Sequence, residues 1–146
     1  MNLNQIREMW GKDSVIDSSD LDTESLKIPN LHSKYLDIYV VKKMQLEKSN
    51  ADLRAARRLR YLYYRGFLDE SDLKKHNWEP WNLSVTKNTE LQNVIEGDFF
   101  IEPLIQQVAY VKIQVEYLEQ ILKMLSTRSF QIRDAISFIK FKNGLE

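Results

Sequence analysis

Ile101, Leu104, Val108, Val111, Val115, Leu118, Leu122 and Leu125 follow one another at alternating spacings of three and four residues. An a/d pattern held over more than three heptads dictates a long helix packed lengthwise on other helices, and it excludes the two-residue alternation of a half-buried strand. Pro103 places the start of that helix, because proline is tolerated in a first turn whose N–H groups have no intrahelical partner. Ser126-Thr127 predicts a break or kink. Phe130, Ala135, Ile136 and Ile139 then form the apolar stripe of a final helix that stops at Gly144. So long a stripe exceeds what a small chain is expected to cover by itself, and oligomerisation is the expected outlet.

A second long helix is required upstream, since Pro29 to Arg65 contains no glycine and no further proline. Leu31, Tyr35, Ile38, Val41 and Gln45 recur at helical spacing, as do Leu53, Ala56, Leu59 and Tyr63. At 1.5 Å per residue such a helix is about 50 Å long, and Gly66 stands where a left-handed cap would end it. The remaining pieces are shorter. Leu3 to Gly11 predicts a short helix contributing Ile6, Met9 and Trp10, and Ser18, Ser19 or Asp20 would cap a brief helix that Pro29 ends or restarts. Asp69–Lys75 suits one helical turn, and His76 to Trp81 a rigid aromatic loop in which Trp78 and Trp81 pack rather than bind. Glu90–Glu96 is helical or extended, which leaves room for a short extended segment within 82–100. The expected fold is all-α, a single domain over 1–146. It comprises an N-terminal region 1–66 with the long basic helix, a connecting segment 67–100, and a C-terminal helix pair in 101–146 for oligomerisation.

Several function classes are excluded residue by residue. There is no cysteine, hence no disulfide and no thiolate metal site. The four glycines at 11, 66, 97 and 144 form no phosphate-cradling loop. His32 and His76 lie far apart without a metal-spaced companion, and the carboxylates at Asp69, Glu70 and Asp72 have no neighbour to tune them. Neither catalysis nor a metal nor a cofactor is expected. Met1 to Gly11 has no basic stretch followed by an apolar run, and no apolar run approaches the roughly 20 residues of a membrane span. A cytoplasmic protein without a membrane partner is expected.

The net charge of zero hides a block structure. Residues 29–68 carry nine Lys/Arg against three Asp/Glu, between acidic blocks of three against six (1–28) and three against eight (69–102). A localised basic block is what an anionic partner would feel. Its centre, Arg54 to Arg65, has five arginines and three tyrosines in twelve residues, with no acid between Asp52 and Asp69. At about 100° per residue Arg54, Arg57, Arg58, Tyr61 and Arg65 share one helix face, with Arg60 and Tyr64 on its flank. The guanidinium fork bonds two phosphate oxygens and stacks on bases, and tyrosine adds a stacking surface. That combination suits single-stranded DNA read without base contacts, with Arg54, Arg57, Arg58, Arg60, Tyr61, Tyr64 and Arg65 as candidate contacts. The competing reading is a structural or chaperone-like helical homo-oligomer, whose arginines form a subunit seam against the N-terminal acids or Asp69–Asp72.

The closing run from Tyr110 through Arg128-Ser-Phe130-Gln-Ile132-Arg133 to Lys140-Phe141-Lys-Asn-Gly144 resembles the end of the UvsY-type recombination mediators of T4-like phages, especially those infecting marine bacteria. The Asp17-Ser18 neighbourhood and the basic helix closing on Tyr63-Tyr64 are similar too, with 66–100 the weakest part. The resemblance implies binding to single-stranded DNA coated by the phage single-strand-binding protein and loading of a RecA-like phage recombinase, in recombination, repair and recombination-dependent replication within the host bacterial cytoplasm. It implies a ring-like homo-oligomer, a hexamer or heptamer, built through the C-terminal helices; Val108, Val111, Val115, Leu118, Leu122, Leu125, Phe130 and Ile136 are the expected contacts. It also places DNA-binding basic residues at Arg58 and Arg60, while Arg57 and Arg65 depart from the family pattern and would broaden the patch.

Overall fold

The computed structural model describes residues 1–81 and 88–145, which hold five α-helices and no strand. Helix α1 (Leu3–Asp13) opens on a capping box, Gln5 N–H donating to Asn2 Oδ1 and Asn2 N–H to Gln5 Oε1. Helix α2 (Leu21–Tyr64) runs 44 residues straight through Pro29, so the expected stop or restart there does not form. A proline at the ninth position removes one backbone bond and crowds the carbonyl four residues back, a local cost that the 35 helical residues that follow outweigh. Gly66, at φ +73°, closes the helix: its N–H donates to Tyr63 O and that of Phe67 to Leu62 O.

Helix α3 (Glu70–His76) is capped by Asp69, whose side chain accepts from Asp72 N–H. Helix α4 spans Asn88–Glu96, so the later part of the segment left open between helix and strand is helical, and 82–87 lies outside the described residues. Helix α5 (Glu102–Lys142) is one helix of 41 residues rather than the expected pair. Ser126 and Thr127 do not break it because their hydroxyls donate back to Leu122 O and Met124 O within the helix.

The chain forms two compact units, and both long helices contribute to each. One unit combines Met1–Met44 with the chain from Ile113 onward. Its core joins Ile6 and Trp10 of α1, Tyr35 of α2, and Leu118, Ile121 and Leu125 of α5. Trp10 meets Tyr35 edge-on at 5.4 Å between ring centroids. The three-and-four spacing of α5 continues past Leu125 onto Arg128 and Ile132, both buried. The Arg128 guanidinium donates to the carbonyls of Asp13 and Ser14, satisfying the C-terminal end of α1 with a cation. On α2 the burial departs from the expected stripe after Ile38. Val41 is exposed, whereas Lys42 is buried with its ammonium 2.7 Å from Met1 O. A lysine can lay its stem along apolar surface while its head finds a carbonyl.

The expected oligomerisation stripe is thus largely consumed within the chain. Val111, Val115, Leu118 and Leu125 are at most 3% exposed, and Leu122 and Val108 pack partly buried against the two cores. Sequence spacing identified the buried face of α5, but its partners are this chain's own helices. Phe130 is exposed and Ile136 half-buried.

Candidate nucleic-acid interface

The other unit, Gln45–Lys112, holds the basic end of α2. Its core is Leu53, Ala56, Tyr63 and Tyr64 of α2 against Leu91 and Ile95 of α4 and Ile101. Packing this face inward turns the arginine face toward solvent, since the two arcs are centred roughly 130° apart on one helix. Arg54 and Arg58 are exposed and make no ion pair among the described residues. Tyr61 is partly exposed, with the Arg65 guanidinium over its ring at 5.7 Å. Arg57 forks onto Glu96, the last residue of α4, with Nε to Oε1 at 2.8 Å and NH2 to Oε2 at 3.1 Å. Arg57, Arg58, Tyr61, Gln92, Ile95 and Glu96 line an open groove of about 470 Å³ between α2 and α4.

Arg60 and Tyr64, grouped with this face by sequence, are placed elsewhere. The Arg60 guanidinium lies 2.5 Å from Asp98 Oδ2 with its side chain 12% exposed, and Asp98 is 4% exposed. It sits over the rings of Tyr63, Tyr64, Trp78 and Phe100 at 4.4 to 5.9 Å. Tyr64 is buried and its hydroxyl donates to the same carboxylate oxygen. Burial alone would raise the Asp98 carboxyl, but bonds from Tyr64, Arg60 and the Phe100 N–H hold it below the ordinary carboxylate range. Burial, then the bond to Asp98, pushes the Tyr64 phenol up. The geometry gives Arg60 and Tyr64 a structural role, tying α2 to the turn between α4 and α5. As expected, the aromatic loop is packed: Trp78 stacks on His76 at 4.6 Å and meets Tyr63 at 5.2 Å, while Trp81 meets Tyr64 edge-on.

Within the chain, and among the described residues, Arg57 forms an ion pair with Glu96 and Arg60 with Asp98. Sequence reasoning missed both, although two acids flanking Gly97 just beyond a helical segment were a signal. The neighbouring Phe99, 94% exposed, and Phe100, 40% exposed at the same turn, were missed as well.

The family model for the "Recombination, repair and ssDNA binding protein UvsY" matches residues 9–145. The recombination protein uvsY of Enterobacteria phage T4 is 24% identical over 144 residues, covering 99% of each chain. The fold is similar to crystal structures of the bacteriophage T4 recombination mediator protein UvsY. One crystal form gives a TM-score of 0.85 at 22% identity over 98% of both chains. Another gives 0.84 at 23% identity over 97% of this chain and 99% of that one.

Proposed function

This chain belongs to the UvsY family of recombination, repair and single-stranded-DNA-binding proteins, and from that premise we propose that it binds single-stranded DNA on the exposed arginine face of α2. The carrying observation is that Arg54 and Arg58 stand exposed and without an ion pair among the described residues, beside the groove lined by Arg57 and Tyr61. Arg57 keeps only a solvent-exposed ion pair, worth about 0–1 kcal/mol, which an incoming phosphate can replace. Arg65 extends the face past Tyr61. Arg60 and Tyr64 support it from beneath instead of touching the strand.

The chain acts in this reading as a mediator and catalyses nothing itself. It binds strands coated by single-strand-binding protein in the cytoplasm of the infected cell and loads a RecA-like recombinase on them. Copies assemble into a ring-like homo-oligomer through the apolar residues that α5 leaves uncovered, Phe130 and Ile136 among them. Repeating a weak site around a ring multiplies affinity through effective concentration. Bending the strand over the ring would loosen the coating protein and let the recombinase nucleate.

The test is the affinity for a fluorescent oligothymidine across a salt series, with parent protein and Arg54→Ala/Arg58→Ala. The parent should bind with log K falling by about 0.7 per phosphate neutralised, and the variant should lose affinity and slope at unchanged oligomer size. Parental binding by the variant would remove the arginine face as the DNA site, and its dissociation into monomers would make that face a subunit seam. Recombinase loading on coated strands should fail in the same variant.

A further inference from the structure

The turn between α4 and α5 is tightly held. Asp98 Oδ1 accepts from Phe100 N–H at 2.7 Å, and its carbonyl accepts from Ile101 and Glu102 N–H. Its other carboxylate oxygen is bound by Arg60 and Tyr64. The outcome is that Phe99 stands 94% exposed, more than any other large apolar side chain among the described residues. A phenylalanine kept in water by so bonded a turn is presented to something.

What it faces narrows the choice. Phe99, Phe100, Trp78 and Val94 line a cleft of about 540 Å³ with Arg60 and Asp98 at its wall. The cation of the cleft is already engaged, Arg60 with Asp98, and the Tyr63 hydroxyl donates to Glu79 O at 2.5 Å, while the exposed side chains of Asn77 and Glu79 complete the polar lining. It offers flat aromatic faces and no free cation, so a phosphate gains nothing there whereas a base does. The phosphate-binding groove is close by in the chain, because Glu96 meets Arg57 and Asp98 meets Arg60, three residues further along α2.

We propose that Phe99 is a stacking platform for an unpaired nucleobase of a strand whose phosphates lie on the arginine face. This rests on the arginine-face reading above, and it supplies contact area that charge alone does not. Because stacking releases no counterions, its signature is separable from that of the arginines.

The experiment compares full-length parent, Phe99→Ala, Phe99→Trp and Arg54→Ala/Arg58→Ala. Each is titrated with oligothymidine and with an abasic oligonucleotide of equal length over a salt series, and sized by light scattering. A side chain this exposed can be truncated without disturbing the core. Phe99→Ala should bind oligothymidine about tenfold more weakly at unchanged salt slope, and the abasic strand as the parent does. Phe99→Trp should restore affinity. Parental affinity of Phe99→Ala for oligothymidine, with the arginine variant impaired, overturns the stacking site and leaves the arginine face standing. An unimpaired arginine variant removes both. Equal losses on both strands with a changed oligomer size would make Phe99 a contact between subunits, or with another protein, and also overturn the proposal.

Discussion

Arg60→Ala separates a DNA contact from a structural support. The Arg60 side chain is 12% exposed and neutralises Asp98, which is 4% exposed. Truncation leaves that carboxylate in place with only Tyr64 and the Phe100 N–H to bond it. Breaking a buried pair from one side costs about 3–5 kcal/mol. The two surviving bonds argue for the lower end, and loss of the guanidinium from its aromatic surround adds back about 1 kcal/mol. The expected destabilisation is therefore ~3–4 kcal/mol. At about 2–4 °C per kcal/mol for a chain of this size, the thermal midpoint should fall by roughly 10 °C. Arg58→Ala, on the exposed face, should shift stability by less than about 0.5 kcal/mol while lowering the salt slope for single strands. Circular dichroism melts read the first effect and oligothymidine titrations, at a temperature where all variants are folded, read the second. Removing both partners with Arg60→Leu/Asp98→Leu should recover part of the loss, since no charge is then stranded. If Arg60→Ala melts like the parent yet binds DNA as poorly as Arg58→Ala, Arg60 is a contact and the buried-support argument is wrong.

Three further outcomes are expected. Glu96→Gln removes the carboxylate that occupies the Arg57 fork, so affinity for oligothymidine should rise severalfold and the salt slope steepen; weaker binding would mean that Glu96 orders the groove instead of competing in it. Arg128→Ala uncaps the end of α1 and strands the carbonyls of Asp13 and Ser14, with a loss of about 2–4 kcal/mol in urea denaturation; an unchanged midpoint would show that water replaces it freely. Asp13 and Asp98 both have folded-state carboxyls held below their ordinary value: burial opposes this, but Lys34 and Tyr35 act on Asp13, and Tyr64 and Arg60 on Asp98. Their stabilisation is complete above the unfolded value near 3.9 and is lost as pH falls through the folded one, so urea midpoints should drop below about pH 4. An acid limb unchanged in Asp98→Asn would remove Asp98 from that account.

The helices were legible wherever periodicity and punctuation agreed. The a/d repeat from Ile101 to Leu125 named the buried face of α5, and Gly66 and Gly144 named two helix ends, both at positive φ. Misjudged boundaries were those resting on one disfavoured residue. Pro29 costs a hydrogen bond and a local steric clash in a helix long enough to absorb them, and Ser126 and Thr127 bond back into their own helix. Polar residues at core positions were illegible for a related reason. Lys42 and Arg128 continue the buried stripes of α2 and α5, yet an apolar pattern stops at each, because what buries them is a carbonyl supplied by a distant segment.

The arginine face shows the same limit from the other side. Helical arcs separate Arg60 from Arg57 by about 60° and set Arg60 between Leu53 and Ala56 on the apolar stripe, a placement that reading the arginines as one block hides. What divides them is the pair of acids around Gly97, 39 and 38 residues downstream, which meet Arg57 and Arg60 respectively. The block of positive charge is thus narrower in space than in sequence. Asp98 neutralises the arginine whose loss would unfold the turn, and Glu96 shields one that a phosphate can reclaim. Of the five arginines, Arg54 and Arg58 are the two that stand exposed without an ion pair among the described residues. In the proposed DNA-binding reading, a basic run therefore bounds the phosphate contacts from above, and the acids that fold back onto it lower their number.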